Sequence, residues 1–281
     1  MSVPTAVGGG AIHLLAPNSD EWTYEGTNTW LLGSGQSVIV VDPGTSDPSH
    51  LLAIQHAAAE SGQSITAVLL THDHEDHSDG ARELAGIVNV PIIANSAHWA
   101  DVRVDDGDVL DDFGLDAVVI HTPGHSDDSI CVLLPHGVLV TGDTILGGHS
   151  SGIYGRFRDF LSSLERLLPL VAAPGSFALP GHGHVVVDPH ETIKRLIAHR
   201  LRRADQVRDL AMRHPNATAT ELAAQMYPST TLFHRPSAVQ MVQAIATYLL
   251  EADPPLTSAA HNALGRLADT RDQLTTDKGV T

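Results

Sequence analysis

The feature that most constrains the fold of this chain is a dense group of metal-binding side chains directly after a short apolar segment. Residues 65–70 read Ile-Thr-Ala-Val-Leu-Leu and predict a buried strand, and the chain continues as Thr71-His72-Asp73-His74-Glu75-Asp76-His77. Imidazole nitrogens and carboxylate oxygens are ligands that zinc and related divalent metals take. The alternative is a solvated polar loop, but so many acids and imidazoles would repel and desolvate badly without a cation. The pattern therefore indicates a metal-binding loop at the end of a strand.

Three later segments repeat this arrangement, each with a ligand-capable residue beside glycine at the predicted end of a strand. They are Thr122-Pro123-Gly124-His125, Thr141-Gly142-Asp143-Thr144 and Leu179-Pro180-Gly181-His182-Gly183. Glycine permits close backbone approach and positive φ, which a metal loop at a sheet edge requires. Each segment alone is a weak signal, because a single turn histidine is more often structural. Together, and in this order, they indicate one site.

Around these segments, strand-like and helix-like patterns alternate as far as about residue 188. Asn28 to Leu32 and Ser37 to Val41 predict a hairpin. The continuous apolar run Val38-Ile39-Val40-Val41 is typical of a strand covered on both faces. We therefore predict an α/β domain over residues 1–188.

From about Pro189 the patterns are helical only. One helix is predicted from Glu191 to about Arg213, a second opens with the capping box Thr218-Ala219-Thr220-Glu221, and a third runs from Pro236 to Glu251. The polar tail from Asp253 predicts a loose helix or partial disorder. Residues 189–281 are therefore interpreted as a helical C-terminal domain and tail.

These segments make residues 11–188 similar to the metallo-β-lactamase superfamily. Further strings that carry the resemblance are Gly26-Thr27-Asn28-Thr29-Trp30, Val41-Asp42-Pro43-Gly44 and Gly142-Asp143-Thr144-Ile145-Leu146-Gly147. Within the superfamily the chain resembles the hydroxyacylglutathione hydrolase-like (glyoxalase II-like) group, especially the lactamase-like proteins that include a mitochondrial endoribonuclease. The resemblance implies an α/β fold, an αββα sandwich with a small C-terminal helical (winged-helix-like) domain.

The resemblance also implies a role for each ligand position. His72, His74 and His125 would hold a first metal ion; Asp76, His77 and His182 would hold a second; and Asp143 would bridge the two. The implied cofactors are two zinc ions per chain, with manganese or iron as substitutes. Two such ions can share a bridging hydroxide as nucleophile. Asp76 would then orient this hydroxide or take its proton.

Other residues near these segments are candidates for supporting or substrate-binding roles. Asp42 is predicted to accept a hydrogen bond from a ligand histidine, although a turn-forming Asp-Pro-Gly is an equally good interpretation. His184 is either such a contact or a surface histidine, and Arg156 and Arg158 are placed where they could face the metals. Cys131, inside an apolar strand, is interpreted as a buried structural thiol.

The charge of the chain limits its partners. With 33 acidic and 16 basic residues, the formal net charge is −17, which disfavours general binding to nucleic acid or membranes. Residues 194–213 are the exception, with seven basic side chains that could hold an RNA backbone, a coenzyme A or glutathione conjugate, or another anion. The alternative is a solvated helix face. We expect a small anionic substrate rather than RNA, no membrane or DNA partner, and leave a homodimer open.

One cysteine excludes an internal disulfide framework, and no signal peptide or membrane segment is visible, so a cytoplasmic protein is expected. The function that these observations favour is a dinuclear zinc-dependent hydrolase of a thioester or small ester. The alternatives are a single-strand-specific endoribonuclease, a mononuclear iron oxygenase and a non-catalytic metal-bound module. An aromatic content of 4% weakens the RNA alternative.

Overall fold

Two β-sheets form the centre of the molecule. The computed structural model describes residues 4–33, 35–229, 231, 235–251 and 257–269. The first sheet has the strand order β1 to β7: Thr5–Ala6, Ile12–Leu15, Asn28–Leu32, Ser37–Val41, Ser64–Leu69, Ile92–Ala94 and Val102–Arg103. The second has the order β11-β10-β9-β8, where β8 is Val118–His121, β9 Ile130–Leu134, β10 Val138–Gly142 and β11 Phe177–Pro180.

Helices cover the outer faces of both sheets. The described helices are α1 Pro48–Glu60, α2 Glu75–Ser78, α3 Ala81–Val88, α4 Phe157–Leu167, α5 Pro189–Arg213, α6 Ala219–Met226, α7 Arg235–Leu250 and α8 Ser258–Ala268. The Asp47 carboxylate accepts hydrogen bonds from the backbone N–H groups of Ser49 and His50 and so caps α1. None of the described helices is long and apolar enough to cross a membrane.

The alternation along β4 shows how the layers are held together. Val38 and Val40 pack into a core cluster with α1 and α3, whereas Ile39 and Val41 pack into the cluster between the two sheets. Successive side chains of a strand point to opposite faces, so a strand covered on both sides must be apolar throughout. The predicted αββα sandwich is confirmed.

The helices after Pro189 share a core with the sandwich. One continuous cluster of buried side chains runs from Ile120 and Leu139 of the second sheet through Phe160 of α4 to Val207 of α5 and Leu264 of α8. The C-terminal helices therefore extend the outer helical layer. We call α5 to α8 the helical layer.

Several elements differ from the sequence predictions. The short strands β1 and β7, and α2 within the metal-binding loop, were not predicted, because two to four residues carry too little periodicity. The polar tail contains α8, whose Ala260, Ala263, Leu264 and Leu267 are buried; the helical alternative therefore applies to residues 258–268, and that helix is packed rather than loose. Residues 252–256 and 270–281 lie outside the described part. The described residues from Pro189 onward form helices and no strand that would make a wing.

Two parallel strand pairs bring the polar segments to one edge. β4 and β5 are parallel neighbours in the first sheet, and β10 and β11 are parallel neighbours in the second. The carboxyl ends of parallel strands lie at the same edge, so Asp42 and Thr71 follow one pair and Asp143 and His182 the other. The Ile130 backbone N–H donates to the Thr71 carbonyl over 2.8 Å and links the sheets there.

Candidate metal centre

The seven side chains predicted as ligands converge at this edge in two sets of three, with Asp143 between the sets. In the first set, Nδ1 of His74 lies 2.9 Å from Nε2 of His72 and 3.0 Å from Nε2 of His125. In the second set, Nε2 of His182 lies 3.1 Å from Oδ2 of Asp76 and 3.3 Å from Nε2 of His77. A tetrahedral ion with bonds of about 2.0–2.1 Å holds its ligand atoms about 3.3 Å apart. The spacing in each set therefore suits a divalent metal ion.

The Asp143 carboxylate lies between the two sets. Its Oδ1 is 3.4 Å from Nε2 of His77, and its Oδ2 is 3.5 Å from Nε2 of His182 and 3.8 Å from Nε2 of His125. Oδ1 is buried and has no hydrogen-bond partner among the described residues. A buried carboxylate oxygen without a partner is unfavourable unless a cation binds it. Asp143 is therefore placed where one carboxylate can reach both sets.

Glycine makes this approach possible at residue 181. A Cβ atom there would lie 2.4 Å from Oδ1 of Asp143 and 2.6 Å from Cε1 of His77. Such distances are far inside van der Waals contact, so only glycine lets β11 deliver His182 so close to Asp143.

Three of the candidate ligand histidines make a hydrogen-bond contact through Nδ1, the ring nitrogen that points away from the ligand set. Nδ1 of His182 lies 3.1 Å from the Gly26 carbonyl oxygen, and Nδ1 of His125 lies 3.1 Å from that of Gly152. Nδ1 of His72 lies 3.1 Å from the Thr71 hydroxyl oxygen. If each Nδ1 carries the proton and donates it, Nε2 keeps its lone pair for a metal.

Asp42 anchors the whole loop. Its Oδ2 lies 2.8 Å from Nδ1 of His77 and accepts the Thr71 hydroxyl over 2.6 Å, while Oδ1 accepts the Thr71 backbone N–H over 2.8 Å. Asp42 has φ of 47° and is 1% exposed. The contact with a ligand histidine is thus present, and the simple turn interpretation does not account for it.

The protonation preferences of these groups also suit a cation. Burial lowers the pKa of His125 to about 4 and holds the pKa of His72 well below its usual value. Burial opposes ionisation of Asp143, but the neighbouring histidines His77 and His182 outweigh it and keep its pKa well below the usual range. At neutral pH His72 and His125 are therefore neutral imidazoles and Asp143 is an ionised carboxylate, whereas the pKa of His182, which burial lowers, is raised by the carboxylates beside it. His77, whose pKa is raised by the carboxylates around it despite burial, would release a proton when a metal binds.

The two sets open into a cavity of about 720 Å³ that we call the metal cavity. The helical layer supplies part of its wall through His199, Arg203, Tyr227 and Met241. The aromatic side chains around it are Trp22, Tyr24, Tyr154 and Tyr227. The Tyr154 ring lies edge-on to His74 and to His125, with ring centroids 5.5 Å apart in both cases.

Sequence reasoning placed some of these residues differently. Arg156 and Arg158 do not line the metal cavity; Arg156 donates to the Glu251 carboxylate over 2.8 Å and Arg158 over 3.3 Å, so both join α4 to the end of α7. They therefore do not face the metal ligands. His184 is exposed and lines a neighbouring cavity instead. Cys131 is buried, as expected, and burial raises its pKa to about 11.

Arg200 was assigned to a basic helix face but is 3% exposed. Its guanidinium donates to the Ser151 carbonyl and lies over the Phe160 ring, 5.2 Å from the centroid. It holds the loop whose Gly152 carbonyl contacts His125. The cavity-lining aromatics and the buried position of Arg200 were not identified from the sequence, because these residues come from distant segments without a local motif.

Known proteins share this sequence pattern. A profile of the metallo-β-lactamase superfamily matches residues 22–103. The chain is 29% identical over 240 residues to the β-lactamase-like protein 2 homolog of Drosophila melanogaster, which covers 78% of this chain and 80% of that protein. It is 29% identical over 225 residues to an atrochrysone carboxyl ACP thioesterase of Claviceps purpurea, which covers 77% of this chain and 71% of that protein.

The chain is thus similar to the metallo-β-lactamase superfamily, by a profile match over residues 22–103 and by relatives at 29% identity over 77–78% of its length. The crystal structure of a metallo-β-lactamase family protein from Thermus thermophilus shares the fold, with a TM-score of 0.70 and 24% identity over 86% of this chain and 93% of that chain. The resemblance drawn from the sequence is confirmed at the level of the superfamily. The profile match, the thioesterase-named relative and the clustered histidine and aspartate side chains together support a metal-dependent hydrolase.

Proposed function

We propose that this protein is a dinuclear zinc thioesterase that hydrolyses an acyl thioester. The observation that carries the proposal is the position of Asp143, a single buried carboxylate between two complete sets of ligand atoms. Three protein ligands per ion, with nitrogen and oxygen donors and an open position, are typical of catalytic zinc. Manganese or iron would be tolerated substitutes at the same ligands.

Bound zinc would polarise the thioester carbonyl and supply hydroxide at neutral pH. Hydrolysis would join the hydroxide oxygen to the carbonyl carbon and break the carbon–sulfur bond, whose electron pair would leave on sulfur. A thiol has a pKa near about 8.5, so the thiolate leaves without needing a strong acid from the protein.

Asp76 is the residue of this chain placed to handle the proton. Burial opposes its ionisation, but His77 and His182 lower its pKa, so it is a carboxylate at neutral pH. Its side chain is 29% exposed and lines the metal cavity. From there Asp76 can accept the proton that water gives up, or hold the nucleophile by a hydrogen bond.

The cavity wall supports an acyl group as the bound part of the substrate. Trp22, Tyr24 and Tyr154 line the side of the sandwich, and Tyr227 and Met241 line the side of the helical layer. Such a wall favours an apolar or flat acyl group and excludes water around the reacting carbonyl. The thioesterase name of the Claviceps purpurea relative supports the same substrate class.

Single-stranded RNA is the second candidate, because the same aromatic rings could stack bases. However, few of the basic side chains of α5 are available to bind an RNA backbone. Lys194 contacts Glu191 over 2.6 Å and Arg208 contacts Asp205 over 2.6 Å on α5 itself, so two of its cations are already paired. The thioester is therefore the substrate class that we favour.

The test combines elemental analysis with substrate assays on protein purified without chelator. We expect two zinc ions per chain and release of free thiol from an acyl thioester, with little cleavage of a phosphodiester or of single-stranded RNA. Chelator-treated protein serves as the control, and activity should return with added zinc. One tightly bound iron with oxygen consumption would replace the proposal by the oxygenase alternative. Cleavage of RNA without thioester turnover would replace it by the endoribonuclease alternative.

A further inference from the structure

A second cavity adjoins the metal cavity. It has a volume of about 500 Å³, and Leu146 and His199 line both cavities. Its wall is formed by α5 on one side and by the segments that carry His149 and His184 on the other. The two cavities are therefore neighbours that share Leu146 and His199.

The wall of the second cavity is positive, although the protein as a whole carries a formal charge of −17. Its ionisable lining residues are Arg195, Arg202, His149, His184 and His199, and none of its described lining residues is acidic. The metal cavity, in contrast, is lined by three carboxylates together with Arg200 and Arg203. The second cavity thus has the charge that favours an anion.

The basic side chains form one face of a helix. Arg195, His199 and Arg202 occupy positions i, i+4 and i+7 of α5, which lie on the same side of an α-helix. Three donors in a row along the helix can contact one anionic group and its flanking atoms.

Arg202 differs from the other cations of this helix. Lys194 and Arg208 each form an ion pair with a carboxylate three residues away. In the described part of the chain, the Arg202 side chain makes no ion pair or hydrogen bond, and Arg195 donates only to the neutral Thr192 hydroxyl over 3.1 Å. Both guanidinium groups therefore keep donors for a ligand.

The state of His199 agrees with a positive local potential. Burial lowers its pKa, and the charges of Arg200, Arg203 and Arg202 lower it further. An anion beside these arginines would be stabilised by the same charges.

We propose that the second cavity binds a phosphate group on the thiol-carrying half of the substrate, with Arg195 and Arg202 as its main donors. This inference rests on the proposed thioesterase function. Guanidinium groups bind phosphate oxygens by paired, charge-assisted hydrogen bonds. The thiol carriers that bear such a phosphate are phosphopantetheine groups, which occur in coenzyme A and on acyl carrier proteins. The acyl group then lies in the metal cavity, and the arm leads past His199 to the phosphate.

Direct binding tests the site independently of turnover. Phosphopantetheine and pantetheine carry the same thiol, so calorimetry on the zinc-loaded protein with each isolates the contribution of the phosphate. We expect phosphopantetheine to bind about 10–100-fold more tightly, and we expect Arg195→Gln combined with Arg202→Gln to abolish that preference. Arg208→Gln, on the same helix but paired with Asp205, is the matched control and should keep it. Zinc content and thermal melting verify that each variant is folded.

Kinetics with paired substrates then identify the carrier. The ratio of kcat/KM for a phosphopantetheine thioester to that for the pantetheine thioester should fall about 10–100-fold in the double variant. The same comparison with acyl-coenzyme A and with an acyl carrier protein shows which source of the phosphate the cavity serves, because the favoured one shows the larger fall.

Two results would overturn the inference. The wild-type protein could show no preference for phosphopantetheine, or the double variant could keep the full preference, which would place the phosphate elsewhere. If the phosphate preference is lost in the double variant but no thioester is hydrolysed, the proposed function fails while the phosphate site stands. If single-stranded RNA binds instead, with a weaker salt dependence in the double variant, the thioester carrier is replaced by an RNA backbone.

Discussion

The two walls of the metal cavity are built differently. The wall that carries the ligands consists of short loops at strand ends, and hydrogen bonds to Asp42, Gly26 and Gly152 fix the ligand histidines from behind. The opposite wall is the surface of α5 to α7, where Arg203 of α5 lies over the ring of Tyr227, the residue that follows α6. The candidate ligands therefore all lie at the edge of the sandwich, whereas the proposed substrate contacts come from both walls, with Trp22, Tyr24 and Tyr154 on one and Tyr227 and Met241 on the other.

The largest effect on metal content and turnover is expected from substitutions of the candidate metal ligands. Asp143→Ala or His72→Ala should lose metal and activity together, by about 10³-fold in kcat/KM, because several kcal/mol of transition-state stabilisation come from the metals. His184→Ala, on the exposed side of the last ligand segment, should keep full metal content. Elemental analysis and turnover of the same samples measure both. Full metal occupancy in Asp143→Ala would contradict its bridging position.

The next effect belongs to the helical layer. Leu264→Ala should lower the free energy of unfolding by about 3 kcal/mol, because Leu264 is fully buried in the core shared by α4, α5 and α8. Metal content per folded molecule should stay unchanged. Leu201→Ala, an exposed leucine of α5, is the matched control. Chemical denaturation gives the stability, and loss of metal from the folded variant would mean that the two walls are not independent.

A smaller effect concerns the pH dependence of stability. Burial lowers the pKa of His50 to about 4, against the opposing effects of the Pro43 carbonyl and the Asp47 carboxylate, from an ordinary value of 6.5. A lowered folded pKa means that the stability is present above pH 6.5 and is lost as pH falls toward 4. His50→Gln should remove about 2 kcal/mol of the stability difference between pH 7 and pH 5.

The control for His50 lies in the helical layer. His261 is exposed on α8, so His261→Gln should leave the pH dependence as it is. Denaturation of chelator-treated protein at both pH values keeps metal release out of the comparison. Equal pH dependence in His50→Gln and the wild type would show that His50 is not the titrating group.

The smallest effect on turnover is expected for the ion pairs between the start of α4 and the end of α7. Arg156→Ala and Arg158→Ala break exposed ion pairs with Glu251, and such pairs contribute little in water. Turnover of the thioester should remain at the wild-type level in both. A large rise in KM would instead support the substrate-binding role suggested by the sequence.

Much of the site could be predicted from the sequence because its residues lie in short local segments. His72, His74, Asp76 and His77 lie within six residues, and each remaining ligand sits beside a glycine at a strand end. Strands such as Asn28–Leu32 and Ser37–Val41 were predicted with the observed bounds, since their apolar runs and the intervening turn are local signals. Local signals suffice when a strand end alone decides where a side chain points.

The roles of the side chains in the helical layer were harder to predict, because they depend on contacts with distant segments. Seven basic residues on or near one helix form a single pattern in sequence, yet Arg200 is buried, Lys194 and Arg208 are paired on the surface, and Arg202 lines the second cavity. Whether an arginine of α5 is buried, paired on the surface or exposed in a cavity depends on which segments pack against that helix. That information lies in α4, α7 and distant loops.

The residue types of the candidate ligands, their order and the strand ends that carry them could be predicted from the sequence alone, because alternating burial and glycine-containing turns depend on neighbouring residues. The packing of distant segments places Asp143 between both ligand sets, brings Asp42 to His77, and makes Leu146 and His199 part of two neighbouring cavities. Those facts join residues that lie far apart in the chain. Packing of the two sheets and the helical layer, and no local preference, fixes the distances between them.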